Sequence, residues 1–414
     1  MEYQSKIKQL IKTSKKVILS CCLENGAIVA ANPIKYEYPN STPNYFYIWP
    51  ADAAHVCIAC DYLGLHKIPE NFFEWFEKKA EGIEKGWVFQ RYTVNGIAEG
   101  FMISELYSKH LQKILKKYQH PITMWGENGK YNGFKVQIQP DNYGYLLWAL
   151  EEHSRYNSET SRKYGRIIKN IANGIVNIWS NKFGFKLLYH GRWEEKIGYP
   201  DIYLTHSLAM CYKGLNSAIN LIGKKGRWEE IAKKMKELLL QSYNEKLEIY
   251  QAVFGPKYKR RKYEKLYSTL LKGGGFDSRF DSLVFSLIWP SKVLETNERT
   301  KKFIEKLVEK IKIFQYGLGR YPGDTYDGIF VNGSSNRMGG NAWPIIHFWA
   351  SLVLYKLGEK EKAVKYFNWI LKKIKNSSYL LPEQISYSGK SRGPNPLAWS
   401  HAMFILASKE LGYL

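Results

Sequence analysis

Thirteen stretches of helical periodicity follow one another along the 414 residues, with no linker to divide them. They fall at roughly 3–20, 51–65, 69–86, 102–118, 141–155, 159–179, 201–221, 227–243, 277–288, 298–313, 341–357, 360–374 and 396–412. Each carries an apolar stripe that has to be buried against a neighbour. Pro200-Asp201 opens one helix and Gly358 closes another. Strand-like runs are short, at 22–31, 45–49 and 247–254. The clusters Gly273-Gly274-Gly275 and Gly339-Gly340 are brief and hemmed in by helices. The pattern predicts an all-α chain, with residues 1–414 as a single domain of about twelve helices, above the usual domain size. An (α/α)6 barrel, six antiparallel hairpins in a ring, closes that many helices around one core. An open solenoid is the rival, because no strict repeat marks the sequence. A closed ring gathers its interhelical loops at one end, so residues distant in sequence can share a pocket.

Composition narrows the partners. No run approaches about 18 apolar residues, so no transmembrane helix is expected. The polar, Lys-rich start, Met1 to Lys16, lacks the apolar core and cleavage site of a secretion signal. The expectation is a soluble, cytoplasmic protein. Its five cysteines, Cys21, Cys22, Cys57, Cys60 and Cys211, are expected as thiols. Cys57 and Cys60 form a CxxC inside an apolar helical run, with no second pair to complete a zinc site, and read as core. The formal net charge is +23, spread over helices beside glutamates, with one dense cluster at Lys257 to Lys265. Solvated helix faces account for this pattern, and no nucleic-acid or membrane partner is expected. The Lys-, Tyr- and Trp-rich make-up suits a thermophile. Trp148 and Trp349 fall on apolar helix faces and read as core. His55, His206 and His401 lie on helical stretches without metal-ligand spacing, so neither a metal nor a cofactor is expected. Ser400 and His401 are adjacent on a helix and cannot face each other as nucleophile and base.

One stretch offers acid chemistry: Gly191-Arg192-Trp193-Glu194-Glu195-Lys196. A carboxylic acid against an aromatic wall resists ionising, which is what a general acid needs near neutral pH. The plainer reading is a helix start, where the positive end of the dipole favours acidic residues. Other loops repeat the pairing of an aromatic with a carboxylate or Arg. They are Asn44 to Asp52, Phe134 to Asp141, Gly319 to Tyr326 with Gly340 to Trp343, and Leu381 to Gln384 with Trp399-Ser400-His401. Aromatic rings stack on the apolar faces of a pyranose, while carboxylates, amides and guanidinium groups take its hydroxyls. The five sets together point to a sugar site.

These segments resemble the inverting glucoamylases and their relatives of glycoside hydrolase family 15, from about Ser20 to the C-terminus. The family's aromatic segment ending Trp-x-Arg-Asp is matched by Tyr45 to Asp52 apart from the Arg. Its Trp-Glu-Glu is matched by Trp193 to Glu195. Its Gly-Arg-Tyr-Pro-x-Asp-Thr-Tyr and Gly-Asn-x-Trp are matched by Gly319 to Tyr326 and Gly340 to Trp343. Its C-terminal Glu-Gln and aromatic-Ser are matched by Glu383-Gln384 and Trp399-Ser400. The resemblance implies the (α/α)6 fold. It also implies a catalytic domain without the N-terminal β-domain that bacterial and archaeal members commonly carry.

By the same resemblance Glu194 is the general acid and Glu383 the general base. They would face each other across the sugar at roughly 6.5–9.5 Å, the gap of an inverting enzyme. Tyr45 falls beside the oxocarbenium-like centre, and Glu195, Asp52, Arg320 and Trp343 fall on sugar-contacting positions. Trp193 shields the acid, and Trp49 and Asp324 complete the expected binding set. Ala51 stands where the family has an Arg that grips hydroxyls with its Asp partner. Losing such a bond costs about 1.5–3 kcal/mol. Another cation fills in, or the terminal sugar differs, or activity is low. Phe134 or Trp125 supplies the aromatic before Asp141. The implied activity is exo-acting, inverting hydrolysis of α-1,4 or α-1,6 glucosidic bonds with release of β-glucose. The alternatives are a trehalase or isomalto-oligosaccharide hydrolase, and a carbohydrate-binding relative that has lost turnover.

Overall fold

In a computed structural model the chain is described over residues 2–36, 42–99, 123–125, 131–134, 137–223, 226–267, 277–314, 316–331, 334–336, 340–374 and 378–414. Side chains of residues 2, 123–125, 131–134, 266–267, 329–331 and 334–336 are not part of that description. The helix expected at 102–118, the cluster Gly273-Gly274-Gly275, Gly339, and the Trp125 and Phe134 side chains therefore lie outside it.

Helices alternate between an inner and an outer layer. The inner ones are α2 (Pro50–Tyr62), α4 (Pro140–Ser154), α6 (Thr205–Ile222), α9 (Pro344–Lys356) and α11 (Ala398–Glu410). The outer ones are α1 (Glu2–Cys21), α3 (Lys67–Lys79), α5 (Gly165–Ile178), α7 (Arg227–Leu240), α8 (Glu298–Ile311) and α10 (Lys360–Lys373). A short 3-10 segment, Ser282–Leu287, takes the remaining inner place between α6 and α9. Each inner element packs on the next, and α11 packs on α2, so the ring closes as an (α/α)6 barrel. An open solenoid is thereby excluded.

Sequence pattern explains the layers. Inner helices are buried on every side, as α2 is from Pro50 through Asp61, and the apolar and small residues of this stretch serve both the barrel axis and the outer layer. Outer helices bury one stripe, as α8 does with Phe303, Ile304, Leu307, Val308 and Ile311. Closure ties the two ends of the chain together. Ser14 of α1 bonds His401 of α11 at 2.8 Å, and Ala398 N–H donates to the Ala30 carbonyl at 2.9 Å.

Three expectations are corrected. The stretch 277–288 forms no α-helix but the 3-10 turn, capped by the Asp281 carboxylate accepting from Leu283 N–H at 2.9 Å. Pro290 follows closely, and its missing N–H and ring bar a longer helix here. The stretch 159–179 breaks at Tyr164 into a single turn, Thr160–Lys163, and α5. The acidic pair does not start a helix. Tyr189–His190 and Ile197–Gly198 pair as a two-stranded hairpin, and Glu194 and Glu195 lie in its loop. Trp148 and Trp349 are buried, 3% and 2% exposed, as core residues. Cys57 and Cys60 sit fully buried in α2, where burial raises the Cys57 thiol well above its usual range. Among the described residues no group of three or more His, Cys, Asp or Glu side chains could hold a metal ion, and no helix is long and apolar enough to cross a membrane.

Candidate active site

The site is assembled where inner helices begin. Pro opens α2, α4 and α9, because its fixed φ suits the first helical position and its absent N–H is not needed there. The residue before each Pro is held extended, and these residues are Trp49, Gln139 and Trp343. The hairpin carrying Glu194 lies against them. Trp49 Nε1–H donates to Glu194 Oε1 at 3.3 Å, and Gln139 Nε2–H donates to the same oxygen at 3.4 Å. Glu194 takes a left-handed backbone, φ 64°, a conformation that a non-glycine residue holds only when its surroundings fix it.

Glu383 arrives from a second hairpin, Gln384–Ile385 paired with Ser391–Arg392. It is 3% exposed. Tyr45 O–H donates to its Oε1 at 2.5 Å and Gln384 Nε2–H to its Oε2 at 2.9 Å. Burial, the strongest influence, pushes the Glu383 carboxyl up to about 7 against those bonds and Arg320, with Asp52 adding to the rise. Burial and the Glu383 charge in turn hold the Tyr45 phenol well above its usual range, so it stays a donor. The approach is close enough to require glycine: a Cβ on Gly393, φ 67°, would stand 2.4 Å from Glu383 Oε2. Ser400 and His401 brace the same segment, with Ser400 Oγ–H on the Pro382 carbonyl at 2.8 Å and Leu381 N–H on His401 Nε2 at 3.0 Å.

The two carboxylates are neighbours. Trp49 and Tyr45, their respective donors, have ring centroids 5.3 Å apart. Asp52 lies within electrostatic reach of both: Glu194 raises its carboxyl, and its own charge raises Glu383. Tyr326 also feels both, and its O–H stands 3.4 Å from that of Tyr45.

Arg320 lies in the same cluster, within electrostatic reach of Glu383. It grips Asp324 in a fork, Nε–H to Oδ2 and Nη2–H to Oδ1 each at 2.7 Å, and Nη2–H reaches Glu195 Oε1 at 3.2 Å. Tyr321 O–H donates to the other Glu195 oxygen. The guanidinium stands over Trp193, Tyr326 and Trp343, 5.5, 5.0 and 5.2 Å from their rings. Trp193 and Trp343 meet at 5.4 Å. All ten side chains expected at the site are thus joined in one connected cluster. Asp141 is not among them: it faces His206 Nε2 at 3.8 Å inside the barrel.

A cation does reach Asp52, from outside its own helix. Arg192, 6% exposed, pairs with Asp52 through Nη2 and donates from Nη1 to Asn142 Oδ1 at 3.3 Å. Its guanidinium lies 4.7 Å from the Trp399 ring. Burial raises Asp52 to about 6, Arg192 opposes this, and Glu194 adds to it. Ala51 is fully buried. The signal for Arg192 was present in the sequence as a cation two places before Glu194, while no cation adjoined Asp52.

A family model described as glycosyl hydrolases family 15 matches residues 7–409. An uncharacterized glycosyl hydrolase of Methanocaldococcus jannaschii is 26% identical over 426 residues, covering 98% of this chain and 56% of that protein. Trehalase 1 of Sulfolobus acidocaldarius is 25% identical over 287 residues, 68% of this chain and 43% of that protein. The chain thus spans about half the length of the curated relatives it matches. A bacterial glucoamylase solved with acarbose superposes with a TM-score of 0.68 at 16% identity, over 98% of this chain and 55% of that one.

Proposed function

Because the chain belongs to glycosyl hydrolases family 15, we propose that it is an inverting, exo-acting α-glucosidase that releases β-glucose from non-reducing ends of α-1,4 or α-1,6 glucosides. Glu194 is the general acid and Glu383 the general base. The observation that carries this reading is the pair of loop aromatics, Tyr45 and Trp49, which joins the two carboxylates through one hydrogen bond each.

Both donors on Glu194 bind Oε1, which leaves Oε2 to deliver a proton to the glycosidic oxygen. Glu383, ionised, takes a proton from a water that attacks the anomeric carbon from the other face. The carbon–oxygen bond to the leaving sugar breaks as the new bond forms, and the centre inverts. The Tyr45 ring and hydroxyl lie beside the cation-like centre. Arg320 with Asp324, Arg192 with Asp52, and Glu195 supply paired donors and acceptors for hydroxyls. Trp49, Trp193, Tyr326 and Trp343 supply apolar walls.

The test is turnover on a panel of maltooligosaccharides, isomaltose, dextran and trehalose, with the released anomer followed by NMR. Initial β-glucose, lost in Glu194→Gln and Glu383→Gln, is the expected result. Initial α-glucose, or variants as active as the parent, would sink the assignment. Sugar binding without turnover would favour a binding protein. A second reading, trehalose as the substrate, is supported by the relative named a trehalase, and exclusive cleavage of trehalose in the panel would select it.

A further inference from the structure

Asp281 lies outside every motif used so far, yet its two oxygens hold the residues on either side of the acidic pair. Oδ1 accepts from Trp193 Nε1–H at 2.9 Å and from Leu283 N–H at 2.9 Å. Oδ2 pairs with Lys196 Nζ. Asp281 is 1% exposed and Lys196 5% exposed, so the pair is shielded from solvent. Lys196 Nζ also stands 4.5 Å from the Tyr321 ring, whose hydroxyl binds Glu195. Between Trp193 and Lys196 lies the left-handed turn at Glu194. Such a backbone is strained for a residue other than glycine and persists only when its flanks are fixed. Beneath the loop is a cavity of about 20 Å³, lined in part by Gly191, Trp193, Lys196, His206, Ser207 and Asp281.

We propose that Asp281 is a positioning residue for the general acid: one buried carboxylate fastens both flanks of the Trp193–Lys196 loop and so fixes where Glu194 presents its proton. The 3-10 turn that Asp281 caps makes the anchor rigid, because the same oxygen that holds Trp193 also holds the Leu283 amide, the second residue of the turn. This inference rests on Glu194 being the acid.

The experiment compares two substrates. A glucoside with a sugar leaving group needs a proton from the acid, whereas α-glucosyl fluoride expels fluoride without one. Asp281→Ala removes both arms. Asp281→Asn keeps an acceptor for Trp193 but sets an amide against the Lys196 ammonium. Lys196→Met removes the second arm alone. The Ala variant is expected to lose about a hundredfold in kcat on the best glucoside and less than about threefold on the fluoride, since proton transfer is worth about 10²–10⁴-fold. The Asn and Met variants should show the same split at about tenfold, and they carry the test if the Ala variant does not fold. Equal losses on both substrates, or no loss, would overturn the proposal. Glu194→Gln is run alongside. If it loses equally on both substrates, the acid assignment itself fails. If it spares the fluoride and the Asp281 and Lys196 variants do not, only the positioning role fails.

Discussion

Tyr45 and Trp49 stand on one loop with ring centroids 5.3 Å apart, and each donates a hydrogen bond to a different carboxylate, Glu383 and Glu194 respectively. The spacing of Glu194 and Glu383, the proposed acid and base, is therefore set by a single short segment leading into α2. Neither carboxylate can shift toward or away from the other without disturbing that pair of rings.

Tyr45→Phe removes the donor that favours the ionised form of Glu383. The base works only when ionised, so kcat/KM is expected to rise with pH through about 7 in the parent. In the variant the rise moves to higher pH. A charge-assisted bond of about 1.5–3 kcal/mol puts the loss below neutral pH at about tenfold to a hundredfold. Unchanged pH profiles of kcat/KM would contradict the link.

Glu383→Gln abolishes turnover but should stabilise the fold above pH 7. Burial raises this carboxyl from 4.5 to about 7, so charge on it favours unfolding. Below about 4.5 the group is neutral in both states and the penalty is absent. It grows as pH rises through the unfolded value and is complete above the folded one, at roughly 3 kcal/mol. Melting curves at pH 8 and pH 4 should show a gain in Tm for the variant at pH 8 alone.

Gly393→Ala sets a methyl group 2.4 Å from Glu383 Oε2 on a backbone with φ 67°. The base must move or the hairpin must strain. The expected result is a fall in kcat of about tenfold or more with little change in KM, and a stability loss of about 1–3 kcal/mol. Steady-state kinetics with a denaturant titration would check both.

Arg192→Met leaves Asp52 buried without its cation, which costs about 3–5 kcal/mol for an ionised partner. Burial already raises Asp52 to about 6, and losing Arg192 raises it further, so the cost shrinks as pH falls and Asp52 takes up a proton. The double variant Arg192→Met with Asp52→Asn should recover much of the stability at pH 8 and none of the sugar affinity. Thermal melts at pH 8 and pH 5, with KM for the preferred glucoside, separate the two effects.

The helical layers were legible because inner and outer helices differ in how much of their surface is apolar, and that difference repeats along the chain. The (α/α)6 closure was not legible in the helical pattern and came only through the family motifs, because packing of α11 on α2 decides it and the two are far apart along the chain. At the site, Trp193-Glu194-Glu195 and Glu383-Gln384 were readable as motifs. Their setting was misread: the acidic pair lies in a hairpin loop, and its left-handed turn at Glu194 leaves no trace in residue type. The pairing of Arg192 with Asp52 and of Asp281 with Trp193 escaped notice because the partners lie far apart along the chain, and no local spacing announces such pairs. Ser400 and His401, read as unable to face each other as nucleophile and base, hold Leu381 and Pro382 beside Glu383.

His401 has a second partner, Ser14 of the first helix, on its other ring nitrogen. The ring closure thus continues as a mechanical linkage: helix α1, imidazole, the Leu381 amide, then Glu383, the proposed base. Loosening the opening helix, by deletion or by a bulky fusion, would be felt first at a carboxylate near the opposite end of the polypeptide.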